Sequence, residues 1–126
     1  MQVQDAGRED RRTVVLSMAT ANAASRLELT TSDLERILGI SQPSASRLMH
    51  GAFQLKEHSK PWELALLLVR LYRGLASIVG NDDALAVQWL HSPNRAFDNA
   101  TPYGRIQSAA GLVATCDYID AHRAVT

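Results

Sequence analysis

Few side chains in this 126-residue chain are spaced for covalent or metal chemistry. The four histidines, His50, His58, His91 and His122, form no i, i+4 pair. Cys116 is the single cysteine, so neither an intrachain disulfide nor a thiolate zinc site can form. Asp82-Asp83 falls where a helix begins, and Asp117 and Asp120 lie three apart on one helix face. Both patterns suit solvated carboxylates better than a paired acid and base. There is no glycine-rich phosphate loop. The residues therefore argue against an enzyme and call for no metal and no cofactor. What they offer instead is recognition chemistry, concentrated in Ser41, Gln42, Ser44, Ser46 and Arg47. A glutamine amide matches an adenine edge, an arginine fork matches guanine or phosphate, and hydroxyls bind phosphate.

Such a reader must be held on a rigid frame, and the flanking residues predict one. Ser32-Asp33-Leu34-Glu35 fits a capping box opening a short helix with Leu34, Ile37 and Leu38 on one face. Gly39 ends it where the chain needs positive φ. Ser41 is the next N-cap, and Pro43 sits at the second helical position, where a missing amide costs little. Ala45, Leu48 and Met49 face inward, and Gly51 closes the helix. Two short helices joined by a glycine turn, with Ile40 and Ala45 plugging the space between them, make a helix-turn-helix. Gln42, Ser44, Arg47 and His50 stay outside, and the second helix points its N-terminal end at a major groove.

The remaining chain is also helical. Residues 1–12 are polar and mixed in charge and read as a disordered or frayed tail. Thr13 to Leu27 reads as a first helix. A polar connection, 52–60, leads to a helix from Pro61 to Val79 that is apolar nearly all round, including Trp62, Leu66, Leu71, Leu75 and Ile78. A helix of that kind is central to a core, or to a core plus a dimer interface. Gly80-Asn81 closes it. A helix with Leu85, Trp89 and Leu90 stops before Pro93, and 92–101 is a loop. Asn94 can tie that loop to its neighbours. Thr101 caps a last helix with Pro102 at its first position, running to about Ala124, with Ile106, Ala109, Ala110, Val113 and Ile119 turned inward.

Composition agrees. The chain is 46% hydrophobic and long enough for a core without staples. With 13 basic and 13 acidic residues the net charge is zero, so attraction to nucleic acid must be local. From Gln42 to Lys60, Arg47, Lys56 and Lys60 stand against Glu57, a mild excess that favours a dimer on a two-fold site. The longest apolar run, Leu64 to Val69, is far too short to span a membrane. No signal-peptide pattern precedes it, and a cytoplasmic protein is expected.

Residues Leu34, Leu38-Gly39-Ile40-Ser41, Ala45-Ser46, Leu48 and Gly51 resemble the Xre-type, phage-repressor-like helix-turn-helix. Trp89-Leu90, Pro93-Asn94, Phe97, Thr101-Pro102, Ile106 and Gly111 resemble, in order, the Xre/MbcA/ParS toxin-binding domain. Members of that family are antitoxins encoded beside a RES-domain toxin that degrades NAD or transfers ADP-ribose from it. The resemblance implies an all-α chain with a helix-turn-helix domain at 13–60 and a toxin-binding, dimerising domain at 61–126. It implies a protein that blocks the toxin's NAD pocket, partly with C-terminal residues, and represses its own operon as a homodimer. Its expected partners are thus a RES-domain toxin, operator DNA and a second copy. Trp89, Pro93, Asn94, Asp120, His122 and Arg123 are the expected toxin contacts. The alternative from the residues alone is a free-standing helix-turn-helix regulator whose C-terminal half dimerises or senses a ligand.

Overall fold

In a computed structural model describing the backbone of residues 2–125 and side chains over 11–124, every regular element is helical. The order is α1 Gln2–Arg26, α2 Thr31–Leu38, α3 Gln42–Met49, α4 Lys60–Ile78, α5 Asp83–Leu90, a 3₁₀ turn at Arg95–Phe97, α6 Pro102–Arg105 and α7 Ala109–Val125.

The first helix extends further toward the N-terminus than expected. It starts at Gln2, not Thr13. Residues 2–12 hold no proline and are mostly good helix formers, Gly7 being the one weak position, so the packed part of the helix propagates backward. Arg12 also ties it to the 52–59 connection through an ion pair with Glu57 at 2.9 Å. At its other end Glu28 turns left-handed (φ 56°), and Leu29 donates back to the Ala24 carbonyl at 2.8 Å. That is a Schellman ending built without glycine.

α2 is capped one position pair earlier than Ser32-Glu35 would place it. Thr30 is the N-cap, its hydroxyl accepts from the Asp33 amide at 3.0 Å, and Asp33 Oδ2 accepts from the Thr30 amide at 2.8 Å. Leu29 and Leu34 flank this box in the positions of a hydrophobic staple, and both are buried. Gly39 then takes φ 68°, which a side-chain-bearing residue adopts only under strain, and the chain turns directly into α3.

α4 is the hub. It packs against α1, α2, α5 and α7, and one continuous core runs from Leu27, Leu34 and Leu48 through Leu68 and Leu75 to Leu112 and Ile119. The two halves of the chain thus share their hydrophobic centre. Ser59 caps α4 by accepting from the Trp62 amide, with Pro61 in its first turn. Leu66 and Ile78 remain 48% and 43% exposed, so its apolar girdle is wider than the core needs.

The last helix is two helices. α6 stops at Arg105, and Ser108 starts α7 by accepting from the Gly111 amide at 3.1 Å. The break changes the helical register. Ile106 and Ile119 are buried as expected, but Ala109, Ala110 and Val113 face outward, and Leu112, Thr115 and Cys116 fill the core instead. Gly111 makes the break possible. A Cβ there would lie 1.9 Å from the Arg105 carbonyl oxygen. The glycine therefore admits the end of α6.

Candidate nucleic-acid and partner interfaces

The N-terminal end of α3 is built from local caps. Ser41 Oγ accepts from the Ser44 amide at 3.2 Å and donates to Ser44 Oγ at 2.9 Å. The two hydroxyls thus support the first turn and each other. Ala45 and Leu48 are buried beneath, while Gln42, Pro43, Arg47 and His50 are exposed. Positions 43, 47 and 50 recur at i, i+4 and i+7, so these side chains form one outward stripe with Gln42 beside it. Ser46 is half-buried, and its carbonyl faces His50 Nδ1 at 2.7 Å. The outward stripe is therefore Gln42, Pro43, Arg47 and His50, with Ser41, Ser44 and Ser46 in supporting positions.

The C-terminal residues separate into two groups. Trp89 is half-buried and stacks on Tyr118, with ring centroids 6.2 Å apart and planes 20° apart. Phe97 is buried and meets the same tyrosine at 5.2 Å. Tyr118 in turn lies 4.1 Å from the His122 ring, one helical turn on. Trp89, Phe97, Tyr118 and His122 thus form a continuous chain of rings from α5 to the end of α7. Tyr118 is the member that sequence reasoning missed. Its i, i+4 spacing to His122 is the one signal that could have found it.

Pro93 is exposed in the loop between Trp89 and Phe97. Asn94 Oδ1 accepts from the Ala96 amide at 2.9 Å, and the Asn94 backbone bonds with both Asn99 and Ala100. The loop is tied by Asn94 as its type suggested. Arg105 braces it from α6, donating to the Phe97 carbonyl at 3.1 Å.

Asp120 and Arg123 belong elsewhere. Asp120 is ion-paired with Arg70 of α4, and Asp117 lies 4.0 Å from the same guanidinium. The Arg123 stem crosses α4 at Gly74, its Cδ 3.4 Å from where a Cβ would sit on that glycine. His122 Nδ1 faces the Tyr118 carbonyl at 3.0 Å. The end of α7 is therefore folded along α4 and its own preceding turn. Helix α7 carries apolar residues far enough along, to Ile119, to hold its last turns down.

No group of three or more His, Cys, Asp or Glu side chains converges among the described residues. Cys116 is buried, donates to the Leu67 carbonyl at 3.2 Å, and burial pushes its thiol up to about 11. A thiol held protonated in this way is a poor nucleophile. Among the described residues no helix is long and apolar enough to cross a membrane.

Comparison with known families gives two adjoining matches. A family model described as the antitoxin Xre-like helix-turn-helix domain matches residues 5–70. A second, described as the antitoxin Xre/MbcA/ParS C-terminal toxin-binding domain, matches residues 75–124. No curated protein matches the chain. The two matches meet within α4, the helix both halves share.

Proposed function

Because the chain belongs to the Xre/MbcA/ParS antitoxins and carries both their helix-turn-helix and their toxin-binding domain, we propose that it neutralises a RES-domain toxin that consumes NAD and represses its own operon. The antitoxin class follows from the family. The RES partner, the repression and a homodimeric state are the finer reading.

The observation that carries the toxin-binding part is the ring cluster in which Trp89, Phe97 and His122 all meet Tyr118, with the exposed Pro93 between Trp89 and Phe97 in the chain. Partly open aromatic clusters on rigid elements are the usual anchors of protein interfaces. His122 belongs to it and Pro93 and Asn94 lie in the loop between Trp89 and Phe97, whereas Asp120 and Arg123 would act from the α4 side. Repression rests on the outward stripe of α3, with Gln42 and Arg47 reading base edges and Ser41, Ser44 and Ser46 near phosphates. A repressor and its toxin meet in the cytoplasm, where the operon is.

The dimer reading is supported by apolar residues left open. A groove of about 480 Å³ between α1 and α4 has Val15, Leu16, Trp62 and Leu66 in its lining. Arginines line it too, but Arg12 and Arg70 are already paired with acids, which lowers the repulsion a second copy would meet. Light scattering should give a dimer at tens of micromolar, an order-of-magnitude choice well above an obligate-dimer constant.

The deciding experiment co-expresses the chain with the neighbouring RES-type reading frame and follows cellular NAD and growth. Wild type should restore both. Continued NAD loss with the antitoxin in excess would remove the RES assignment. For the DNA part, Gln42→Ala and Arg47→Ala should each weaken binding to the upstream promoter at fixed salt, by about 1–3 kcal/mol for a bidentate base contact. Unchanged binding in both variants would place the reader elsewhere.

A further inference from the structure

The least expected polar group in the molecule is Asp33. It lies in the first turn of α2 and is 1% exposed. Local bonds explain half of it: Oδ2 closes the Thr30 cap. Its other oxygen, Oδ1, looks across to the C-terminal half. It accepts from Arg36 Nη2 at 2.9 Å and from the phenol of Tyr103 on α6, seventy residues away in the sequence. A second bond runs alongside. Arg36 Nε donates to Gln107 Oε1 at 2.7 Å, and Gln107 Nε2 donates back to the Tyr103 carbonyl at 3.2 Å.

Two polar bonds therefore clamp α2 to the segment 103–107. That segment is placed directly after the corner that carries Pro93 and Asn94. Arg105 joins the two by its bond to the Phe97 carbonyl, and His91 at the end of α5 rests on the Tyr103 ring at 4.5 Å. On the other side α2 packs on α3, the helix with the outward stripe. A buried carboxylate bonded on every side is costly to leave half-partnered, so the clamp has a definite geometry rather than a range of them.

We propose that Tyr103 and Gln107 are positioning residues, which through Asp33 and Arg36 fix the helix-turn-helix against the partner-binding corner and so couple occupancy of one to the other. The coupling rests on the toxin-corner and DNA readings above, but the clamp itself does not. By linkage, a ligand on α3 changes affinity at the corner by the same factor as a ligand at the corner changes affinity on α3.

Hydrogen exchange on the full chain separates these layers. Tyr103→Phe removes one donor and keeps the ring. It should speed amide exchange over 30–49 by several-fold while α7 keeps its protection. Gln107→Leu, at a half-buried site, should do the same more weakly, and Gln107→Glu, which keeps an acceptor for Arg36, should restore protection. With upstream-promoter DNA as the probe, wild type should gain protection at 101–107 and Tyr103→Phe should not. The variant should also bind that DNA several-fold less tightly, with a salt slope altered by about one phosphate contact. A merely less stable but correctly oriented protein would keep the wild-type slope. If wild type fails to bind the promoter, the DNA reading falls, yet free-protein exchange still decides the clamp. Unchanged exchange over 30–49 in both Tyr103→Phe and Gln107→Leu overturns it. Changed exchange there, with DNA bound but no response at 101–107 in wild type, overturns the coupling.

Discussion

The two recognition surfaces of this protein are built by opposite means. The α2–α3 reader is assembled from neighbours: Thr30 with Asp33, Ser41 with Ser44, and a glycine turn between. The partner corner is assembled from a distance. Trp89 and Phe97 meet Tyr118 across more than twenty residues of chain, and the corner is braced by Arg105 and by the α6–α7 break. Local construction tolerates single losses, because each cap contributes little alone. Long-range construction concentrates its dependence on a few contacts, so single substitutions there should cost more.

The sharpest way to break that contrast is Gly111→Ala. Its methyl would meet the Arg105 carbonyl oxygen at 1.9 Å, a backbone atom that cannot swing aside. The α6–α7 junction would have to shift, at a cost of about 3 kcal/mol or more, near the top of the usual range for overpacking. Thermal or urea unfolding should show it directly. A loss under 1 kcal/mol would mean the junction is pliant and the corner less dependent on it than proposed.

Next in size is Tyr118→Ala. It removes the ring that joins Trp89 and Phe97 to His122. Toxin binding should weaken by about 10- to 100-fold, the range for losing one or two anchor residues. Promoter binding should change little. Deleting residues 120–126 provides the companion test. Because Asp120 pairs with Arg70 and the Arg123 stem lies over α4, the deletion should also lower the melting temperature. Isothermal titration with the toxin separates the two effects. Equal binding by Tyr118→Ala and wild type would move the contact surface to the α4 side.

These contrasts also explain what was legible in the sequence. Gly39, Ser41, Pro43 and the Thr101-Pro102 start were readable because each acts on backbone within four residues of itself. The family patterns were readable for the same reason: they are runs of closely spaced residues. The α2 cap was misplaced by two positions because Thr30-Asp33 and Ser32-Glu35 fit the same box. What chooses between them lies outside the box: the Tyr103 phenol, seventy residues away, and the Arg36 guanidinium, one turn on, both take Asp33. The break at 106–108 was missed because Gly111 looks like a packing glycine, and only the fold shows that a carbonyl occupies its missing Cβ. Tyr118 was missed because nothing near it in the chain hints that Trp89 lies over its ring. The start of the first helix was placed too late because a polar stretch can continue a helix whose packing begins further on.

A smaller effect is expected at the local end. Ser41→Ala removes the N-cap of α3, which should cost about 1 kcal/mol of stability. It also frees Ser44 Oγ from its donor. Promoter affinity should fall modestly, and toxin affinity should not change. A loss as large as that of Gly111→Ala would erase the proposed distinction between the two surfaces.

The smallest expected effect tests the one local cap that long-range partners have captured. Burial alone would raise the Asp33 pKa, but it is outweighed by bonds from the Thr30 amide, the Tyr103 phenol and the Thr30 hydroxyl, with the Arg36 charge adding to them. The net direction is down. A carboxyl whose pKa is lower in the folded state stabilises the fold at pH values above its unfolded pKa, about 3.9. That contribution is lost as pH falls through the folded value. Urea unfolding should therefore show wild type losing stability below about pH 4, beyond what Asp33→Asn loses over the same range. At neutral pH Asp33→Asn is the less stable protein, since an amide cannot satisfy the Thr30 amide, Arg36 and Tyr103 together. The gap between the two should narrow on acidification. Tyr103→Phe should narrow it further at pH values above the carboxyl range by removing one of the bonds that lower the pKa. A gap that stays constant from neutral pH to below the carboxyl range would show that Asp33 titrates alike in the folded and unfolded chains, and that its partners across the molecule do not hold its charge.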